Sequence, residues 1–224
     1  MEPVSPAGAE GVMNGNSRGS LLVQNLFADR RKTELIRKSL HFLIALVPLL
    51  AGFNRPFTLI LLAAGTLAYV IMEGLRQKGI HVPLISKLTV VASRRRDIGR
   101  FVLGPVTLGA GAFLPLLVFS PVAASIAVFA LAFGDGTASL AGKFFGRVRP
   151  PFLFGKSLEG SLACFLGIFL SAYFVTIHEG NGNLRLALVA ACTGLVTELL
   201  PFRDWDNIII PMAVGLAVTA SMSV

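Results

Sequence analysis

Residues 121–141 read PVAASIAVFALAFGDGTASLA, and this stretch is the clearest indication of the fold class of the chain. It carries a single charged side chain, Asp135, among residues that are otherwise apolar or small. A helix needs about 20 consecutive apolar residues to cross the hydrocarbon of a bilayer, so the stretch predicts a transmembrane helix. Because an ionisable side chain at membrane depth is costly, Asp135 is also a candidate for function.

The rest of the chain has the same character. Of its 224 residues, 54% are hydrophobic and 14% are charged, whereas soluble domains carry about 25% charged residues. The mean hydropathy is +0.74. We therefore predict an all-α, polytopic membrane protein with about seven transmembrane helices. The predicted spans are residues 38–53, 56–73, 101–119, 121–141, 159–177, 184–200 and 207–223.

The basic residues predict the orientation of these spans. With seven spans, 18 of the 20 Lys and Arg residues fall on the same side as the N-terminus, and only Arg55 and Arg185 fall on the other. Because Lys and Arg concentrate in cytoplasmic loops, the N-terminus is predicted to be cytoplasmic. Topology thus accounts for the net charge of +8, and no binding of nucleic acid is expected.

Two units are expected along the chain. Residues 1–20 are rich in Gly, Pro, Ser and Asn and are predicted to form a disordered tail. Residues 21–224 are predicted to form a single transmembrane catalytic domain. No secretory signal or organelle transit peptide is recognisable, so a prokaryotic plasma (inner) membrane is the expected location.

The polar motif of the fourth span centres on Asp135, which lies between Gly134 and Gly136. Glycine lets the backbone unwind and lets a ligand approach closely, so these three residues are predicted to contribute to a binding site. Helix packing is an equally good explanation for the small residues, and it would permit two copies of the chain to pair. Further small residues follow at four-residue intervals, namely Ala138, Gly142 and Gly146.

A second motif, Gly155-Lys-Ser-Leu-Glu-Gly160, begins the fifth span. It is not a nucleotide-binding P-loop, because the glycine required five residues earlier is replaced by Pro150. Lys156 supplies a cation, Ser157 can cap the helix, and Glu159 lies in the first turn, where a carboxylate is favourable. A helix N-terminus beside a lysine predicts an anion site, and the alternative is a capped helix start without a ligand.

Oxygen ligands cluster at the turn between the last two spans. Glu198, Asp206 and Asn207 could meet there, whereas Asp204 is better explained as a solvated loop residue. Mg²⁺ commonly takes one or two carboxylates together with the phosphates of a substrate, so this turn predicts a magnesium site.

Basic residues lie at the start of the first span. Arg37 and His41 are four residues apart and share a helical face. Membrane anchoring and phosphate binding both remain open for Arg37 and Lys38. Glu73, Arg76 and Arg96 could pair with each other or with phosphate. Cations, acids and a metal site together indicate phosphoryl chemistry, which needs positioning and charge neutralisation more than a covalent nucleophile.

These motifs resemble the dolichol kinase and phytol kinase family, which also includes CTP-dependent diacylglycerol kinases. Members of that family transfer the γ-phosphate of CTP to a membrane-embedded lipid alcohol such as a polyprenol, dolichol, phytol or diacylglycerol. The resemblance spans most of the chain between positions 34 and 212. It is carried by Gly134-Asp-Gly-Thr-Ala-Ser-Leu-Ala-Gly-Lys143, Gly146 and Lys156-Ser-Leu-Glu-Gly-Ser161, with further matches at Arg37, Lys38, His41, Glu73, Arg76, Asp206, Asn207 and Pro211.

The resemblance implies a site for CTP and Mg²⁺. The predicted catalytic residues are Asp135, Lys156 and Glu198, and either Asp135 or Glu198 would accept the proton of the alcohol. The predicted magnesium ligands are Asp135, Asp206 and Asn207. The predicted nucleotide-binding residues are Gly134, Gly136, Thr137, Lys143, Ser157, Glu159, Arg37, Lys38 and His41.

Two other functions remain open from the sequence. Phosphatidate cytidylyltransferases, which make CDP-diacylglycerol, are similar in the first motifs. They have a Lys-Asp pair and a Pro-Gly-His-Gly-Gly stretch, whereas this chain has ELLPFRDWDN at residues 198–207. A carrier would place polar groups near the bilayer midplane, but here they gather at one surface. The predicted function is therefore a CTP-dependent lipid kinase with its active site facing the cytoplasm.

Overall fold

The computed structural model describes residues 30–80 and 100–223, and within these ranges all regular secondary structure is helical. The predicted all-α class is confirmed. Short 3-10 turns at Pro151–Leu153 and Arg203–Trp205 precede the fifth and seventh helices. The helices are α1 (Arg30–Leu43), α2 (Leu46–Gln77), α3 (Gly104–Val118), α4 (Pro121–Phe144), α5 (Leu158–His178), α6 (Leu184–Leu199) and α7 (Asp206–Met222).

Several of these helices are suited to a bilayer. The helices α2, α4 and α5 are long and apolar enough to cross a membrane, and α3 and α7 are apolar but shorter. Large apolar side chains point outward, for example Phe53, Ile60 and Leu170, which are 91%, 68% and 61% exposed. Such an apolar surface is stable in contact with lipid and not with water, so the chain is a membrane protein. The seven crossings and their orientation stay predictions, as does the tail at residues 1–20, which lies outside the described residues.

The predicted first span, residues 38–53, is wrong as a single helix. A two-residue turn separates α1 from α2, and α2 then continues past the expected boundary to Gln77. The predicted boundary between the first two spans corresponds to a break inside α2 at Asn54, where φ is −155° and ψ is 95°. The side chain of Asn54 accepts a hydrogen bond from the amide of Phe57 at 3.0 Å. The asparagine therefore caps the second segment of α2, with Pro56 in its first turn.

Helix α4 is the central element of the bundle and packs against each of the other six helices. Its first half is rich in alanine, and Ala123, Ile126 and Leu131 are completely buried. Small side chains allow the surrounding helices to approach closely, which favours a tightly packed axis. This packing holds the polar end of α4 in a fixed position.

The second half of α4 contacts α5 through a seam of small residues. A Cβ atom on Gly160 would lie 2.9 Å from the carbonyl oxygen of Ala138 and 3.2 Å from the Cα atom of Gly142. A Cβ atom on Gly142 would lie 3.1 Å from the hydroxyl oxygen of Ser157. The two backbones can approach this closely only because side chains are missing. Helix packing therefore explains the small-residue face of α4.

The polar ends of α2 and α3 are joined by a buried acid. Glu73 is completely buried, and its carboxylate accepts two hydrogen bonds from Arg76 at 2.7 and 2.8 Å. The same carboxylate accepts a hydrogen bond from the amide of Val102 at 3.1 Å. Arg76 also donates to the carbonyl oxygen of Arg100 at 3.2 Å. This cluster fastens residues 100–102, so that α3 starts beside the end of α2.

The alternating directions of the helices bring the polar motifs to one end of the bundle. The ends of α4 and α6 meet the starts of α5 and α7 there, close to α1 and the start of α3. At the opposite end Arg55 donates hydrogen bonds to the carbonyl oxygens of Leu116, at 2.8 Å, and Phe119, at 2.9 Å. A cation at the C-terminus of α3 is favourable, which gives Arg55 a structural explanation.

Candidate active site

Asp135 is the centre of the polar end, because side chains from two helices converge on it. Lys38 of α1 forms a salt bridge with its carboxylate and donates a second hydrogen bond to its backbone oxygen at 3.2 Å. The Nδ1 atom of His41 lies 3.4 Å from the same carboxylate oxygen. On α4 itself, the hydroxyl of Ser139 donates to the other carboxylate oxygen at 3.3 Å. The predicted residues Lys38, His41 and Asp135 therefore form one cluster.

The backbone at Asp135 departs from a regular α-helix. Residues Ala130–Asp135 form a π-helical turn, and the α-helix resumes at Gly136. Such turns are rare, occur frequently at functional sites, and rotate the residues that follow around the helix axis. The turn thereby sets the direction in which Asp135 and Ser139 face.

Asp135 lines a cavity of about 260 Å³ between α1, the start of α3 and the start of α7, which we name the acidic cavity. At its polar end Asp135 is joined by Asp204, Asp206, Asn207, His41 and Arg37. Its other walls are apolar and include Leu40, Ile44 and Leu108. The cavity therefore combines oxygen ligands with a surface suited to a hydrocarbon chain.

A second ion pair connects the starts and ends of the neighbouring helices. Lys156, just before α5, donates to a carboxylate oxygen of Glu198 in the last turn of α6, at 2.6 Å. The side chain of Glu198 is 9% exposed and that of Lys156 is 33% exposed. The second carboxylate oxygen of Glu198 is buried and has no hydrogen-bond partner among the described residues. Breaking this pair would leave a buried charge without compensation.

Lys156 and Glu198 line another cavity, of about 180 Å³, which we name the basic cavity. Two further cations line it, Lys143 from the last turn of α4 and Arg149 from the loop that follows. Arg149 is fixed by hydrogen bonds to the carbonyl oxygens of Gly142, at 3.0 Å, and Gly155, at 2.9 Å. Three cations beside the N-terminus of α5 form a setting that favours an anion.

The motif at the start of α5 is partly structural. Ser157 caps the helix by accepting a hydrogen bond from the amide of Gly160 at 3.1 Å, as predicted for a capped helix start. Glu159 accepts hydrogen bonds from the amides of Arg147, at 2.9 Å, and Val148, at 3.2 Å, so one of its oxygens is occupied by the preceding loop. Ser157 lines the basic cavity, whereas Glu159 holds the loop against the helix.

Three predicted nucleotide-binding residues have packing contacts instead of lining either cavity. A Cβ atom on Gly134 would lie 2.8 Å from Ile168, and one on Gly136 would lie 3.0 Å from Phe42. Thr137 donates a hydrogen bond to the carbonyl oxygen of Ala163 in α5 at 2.9 Å. The structure brings these residues to the helix interfaces around Asp135 and not to a cavity wall.

The three predicted magnesium ligands line the same cavity, but they do not form a preformed metal site. Asp135, Asp206 and Asn207 all line the acidic cavity, and Asp206 accepts a hydrogen bond from the amide of Asn207 at 2.9 Å. The side-chain amide of Asn207 donates to the hydroxyl of Thr107 at 2.9 Å. Among residues 30–80 and 100–223, no three His, Cys, Asp or Glu side chains are grouped as a metal site would require.

Sequence reasoning missed three polar residues of the two cavities. Ser139 bonds to Asp135 and lines the basic cavity, and its position four residues after Asp135 on a helix was the available signal. Arg149 lines the basic cavity, but it lies in a loop whose path the sequence pattern does not show. Asp204 lines the acidic cavity, although its position in a short turn favoured a solvated residue.

Fold and site together define an all-helical membrane protein whose polar residues surround two adjoining cavities at one end. The chain is 29% identical to a phytol kinase of Synechocystis sp. over 161 residues, which is 70% of this chain and 67% of that protein. It is 34% identical to phytol kinase 1, chloroplastic, of Arabidopsis thaliana over 100 residues, which is 39% of this chain and 33% of that protein. It is 25% identical to CTP-dependent diacylglycerol kinase 1 of Eremothecium gossypii over 150 residues, which is 58% of this chain and 47% of that protein.

These similarities confirm the resemblance to the phytol kinase and CTP-dependent diacylglycerol kinase family. The matched segments span between about a third and two thirds of the relatives' own lengths. No protein-family model matches the chain. No solved structure matches it either.

Proposed function

We propose that the chain is a CTP-dependent lipid kinase that transfers the γ-phosphate of CTP to a membrane-embedded lipid alcohol. The names of the relatives support a lipid kinase, and one of them names CTP as the donor. The geometric observation that carries the proposal is the arrangement of the two cavities around α4. Asp135 lines the acidic cavity, and Ser139, which is bonded to it, lines the basic cavity. Four residues of helix correspond to a rise of about 6 Å, so the two sites adjoin each other.

The basic cavity suits the phosphates of the nucleotide. Lys143, Arg149 and Lys156 surround it, and the N-terminus of α5 lies beside them. Phosphoryl transfer depends on such cations to position the phosphates and to neutralise their charge. The basic cavity contains few apolar side chains, which makes it a poor match for a lipid. The phosphate chain of CTP therefore binds there in the proposed complex.

The acidic cavity suits the lipid alcohol. Its apolar walls accommodate hydrocarbon, while its polar end presents Asp135 to a hydroxyl group. In the proposed step the oxygen of the alcohol forms a bond to the γ-phosphorus as the bond from that phosphorus to the bridging oxygen breaks. The products are CDP and a lipid monophosphate, and the proton of the alcohol leaves to a nearby base.

Asp135 is the better candidate for that base. Glu198 lines the basic cavity, which is assigned to the phosphates, and forms a salt bridge there with Lys156. Asp135 lines the cavity assigned to the alcohol, and this position is the reason for the assignment. In this assignment Glu198 orients Lys156, and Asp135 contacts the hydroxyl group.

The acidic cavity also fits Mg²⁺ by its donor chemistry. Asp204, Asp206 and Asn207 all line it, and their side chains carry the oxygen ligands that this ion prefers. Mg²⁺ is usually held by one or two carboxylates and completes its coordination with substrate phosphates and water, so a cluster of three protein acids is not needed. Asp206 and Asn207 would hold the ion, with Asp135 nearby. When bound, Mg²⁺ would neutralise charge on the transferred phosphate.

In this proposal the chain lies in a prokaryotic plasma membrane, and its active site faces the cytoplasm. The basis is the concentration of Lys and Arg at the polar end of the helices, since such residues are retained in cytoplasmic loops. CTP is a water-soluble, charged molecule, so a site at that surface receives it directly from solution.

Product analysis tests the proposed reaction. The purified protein is incubated with CTP, Mg²⁺ and vesicles that contain phytol, a polyprenol, diacylglycerol or phosphatidate, and the nucleotide products are separated. CDP together with a lipid phosphate supports the kinase, and the vesicle that yields product identifies the acceptor. Pyrophosphate together with a CDP-lipid would instead show a cytidylyltransferase. Neither product from any vesicle would contradict both enzymes and favour a carrier.

A further inference from the structure

We propose that the lipid acceptor reaches Asp135 sideways from the bilayer, through an opening of the acidic cavity between α1 and α3. This inference rests on the proposed function, because it assigns a route to the alcohol substrate. Leu43 at the end of α1 and Leu103 just before α3 both line the cavity, yet they are 59% and 46% exposed. Large apolar side chains that line a cavity and also face outward form the rim of an opening toward lipid.

The walls behind this rim lead inward to the reacting group. Leu40 and Ile44 come from α1, and Pro105 and Leu108 come from α3. Helix α1 packs mainly against α4 and touches α2, whereas α3 packs against α2, α4 and α7. The cavity therefore lies where α1 and α3 separate. An apolar passage that ends at a carboxylate matches a long-chain alcohol, whose hydroxyl group would meet Asp135 while its chain stays in contact with hydrocarbon.

Another apolar cavity, at the opposite end of the bundle, serves as the comparison. It has a volume of about 520 Å³, and its lining includes Leu49, Phe129 and Phe174. Phe129 is six residues before Asp135 on α4, about 9 Å along the helix axis, so a hydroxyl group there would not contact Asp135. Although this distal cavity is larger, Glu179 is the only carboxylate among its described lining residues, whereas three carboxylates line the acidic cavity. The acidic cavity is therefore proposed as the route because it leads to Asp135, although the distal cavity has the larger volume.

Matched variants test the opening. Leu43→Trp places a larger side chain at the rim of the acidic cavity, and Leu49→Trp does the same at the distal cavity, where the leucine is 54% exposed. We expect Leu43→Trp to raise the KM for the membrane alcohol about tenfold and to leave the KM for CTP unchanged. Leu49→Trp is expected to leave both values unchanged. Equal effects of the two variants on the lipid KM would overturn the proposal.

Photo-cross-linking locates the acceptor without relying on turnover. The full chain in nanodiscs is irradiated in parallel with diazirine analogues of phytol, of a polyprenol and of diacylglycerol, each with and without an excess of the unlabelled lipid. We expect competable adducts within residues 37–44 and 102–109 for the analogue that matches the acceptor. Competable adducts confined to residues 48–55 or 174–179, or no competable adducts with any of the three analogues, would overturn the route. Assays of CDP formation on the same sample decide the kinase function separately, so the two failures are distinguishable.

Discussion

Lys38 and Asp135 form an ion pair across 97 residues of sequence, and it ties α1 to the π-helical turn of α4. Lys38 is 1% exposed, so the pair lies within the protein and not at its surface. Buried charges are tolerated only when they are paired and hydrogen-bonded, and here the carboxylate also meets His41 and Ser139. The pair thus combines two roles, because it fastens α1 to the bundle and positions the central carboxylate of the site.

Asp135→Asn is expected to abolish phosphoryl transfer and also to lower stability, since it leaves Lys38 buried without a carboxylate. Removing one partner of a buried pair costs about 3 kcal/mol or more. The double variant Lys38→Met/Asp135→Asn should recover most of the thermal stability, as judged by unfolding in detergent, yet remain inactive. Recovery of activity in the double variant would remove Asp135 from the catalytic site.

Lys156→Ala should strongly weaken the binding of CTP. It removes one of the three cations of the basic cavity and leaves Glu198 without its salt-bridge partner. Lys156→Arg keeps the charge and should retain part of the affinity. Lys78→Ala is the matched control, since Lys78 is an exposed lysine that follows α2 and lines none of the cavities described above. Binding of a non-hydrolysable CTP analogue to the three variants measures the effect. An unchanged affinity in Lys156→Ala would refute the assignment of the basic cavity to phosphates.

Glu73→Gln should impair stability and not chemistry. Glu73 joins Arg76 to the amide of Val102 and lines neither the acidic nor the basic cavity. Loss of charged hydrogen bonds of this kind costs about 2 kcal/mol, which thermal unfolding in detergent would register. Turnover per folded molecule, measured well below the unfolding temperature, should stay close to that of the unchanged protein. A variant that keeps its stability and loses turnover would show a direct part in the reaction.

Gly160→Ala should destabilise the seam between α4 and α5. The added methyl group would lie 2.9 Å from the carbonyl oxygen of Ala138, and the backbone would have to shift, at a cost of about 1–3 kcal/mol. Gly65→Ala is the control, because a Cβ atom there meets nothing within 4 Å and alanine favours a helix. Thermal unfolding of the two variants gives the comparison. Similar stability in both would mean that the seam is not tightly packed.

The sequence predicted the helical class, and three of the helices are long and apolar enough to cross a membrane. It also predicted the end of the bundle at which the polar residues meet. A bilayer requires long apolar runs, and alternating directions place Asp135, Lys156 and Asp206 at the same surface. The pairing of particular charges was beyond this reasoning. Lys38 pairs with Asp135 at the end of a π-helical turn, which changes the direction of the residues at the end of α4. The residue pattern of α4 does not predict such a turn.

The break between the first helices shows the same limit. Asn54 and Pro56 mark a boundary, yet helical structure extends on both sides of it, and the turn at residues 44–45 comes earlier than the hydropathy pattern predicts. The glycines beside Asp135 were equally consistent with packing and with nucleotide binding. The contacts of Gly134 and Gly136 with Ile168 and Phe42 agree with the packing explanation.

The most direct test follows the γ-phosphate itself. CTP labelled at the γ-position is supplied with Mg²⁺ to the full chain in vesicles that contain the lipid alcohols, beside the Lys38→Met/Asp135→Asn variant as a folded control. We expect label to enter the lipid phase with the unchanged protein and not with the double variant. Label that enters the lipid only when CTP is labelled at the α-position, or equal transfer by both proteins, would contradict the proposed kinase reaction at Asp135.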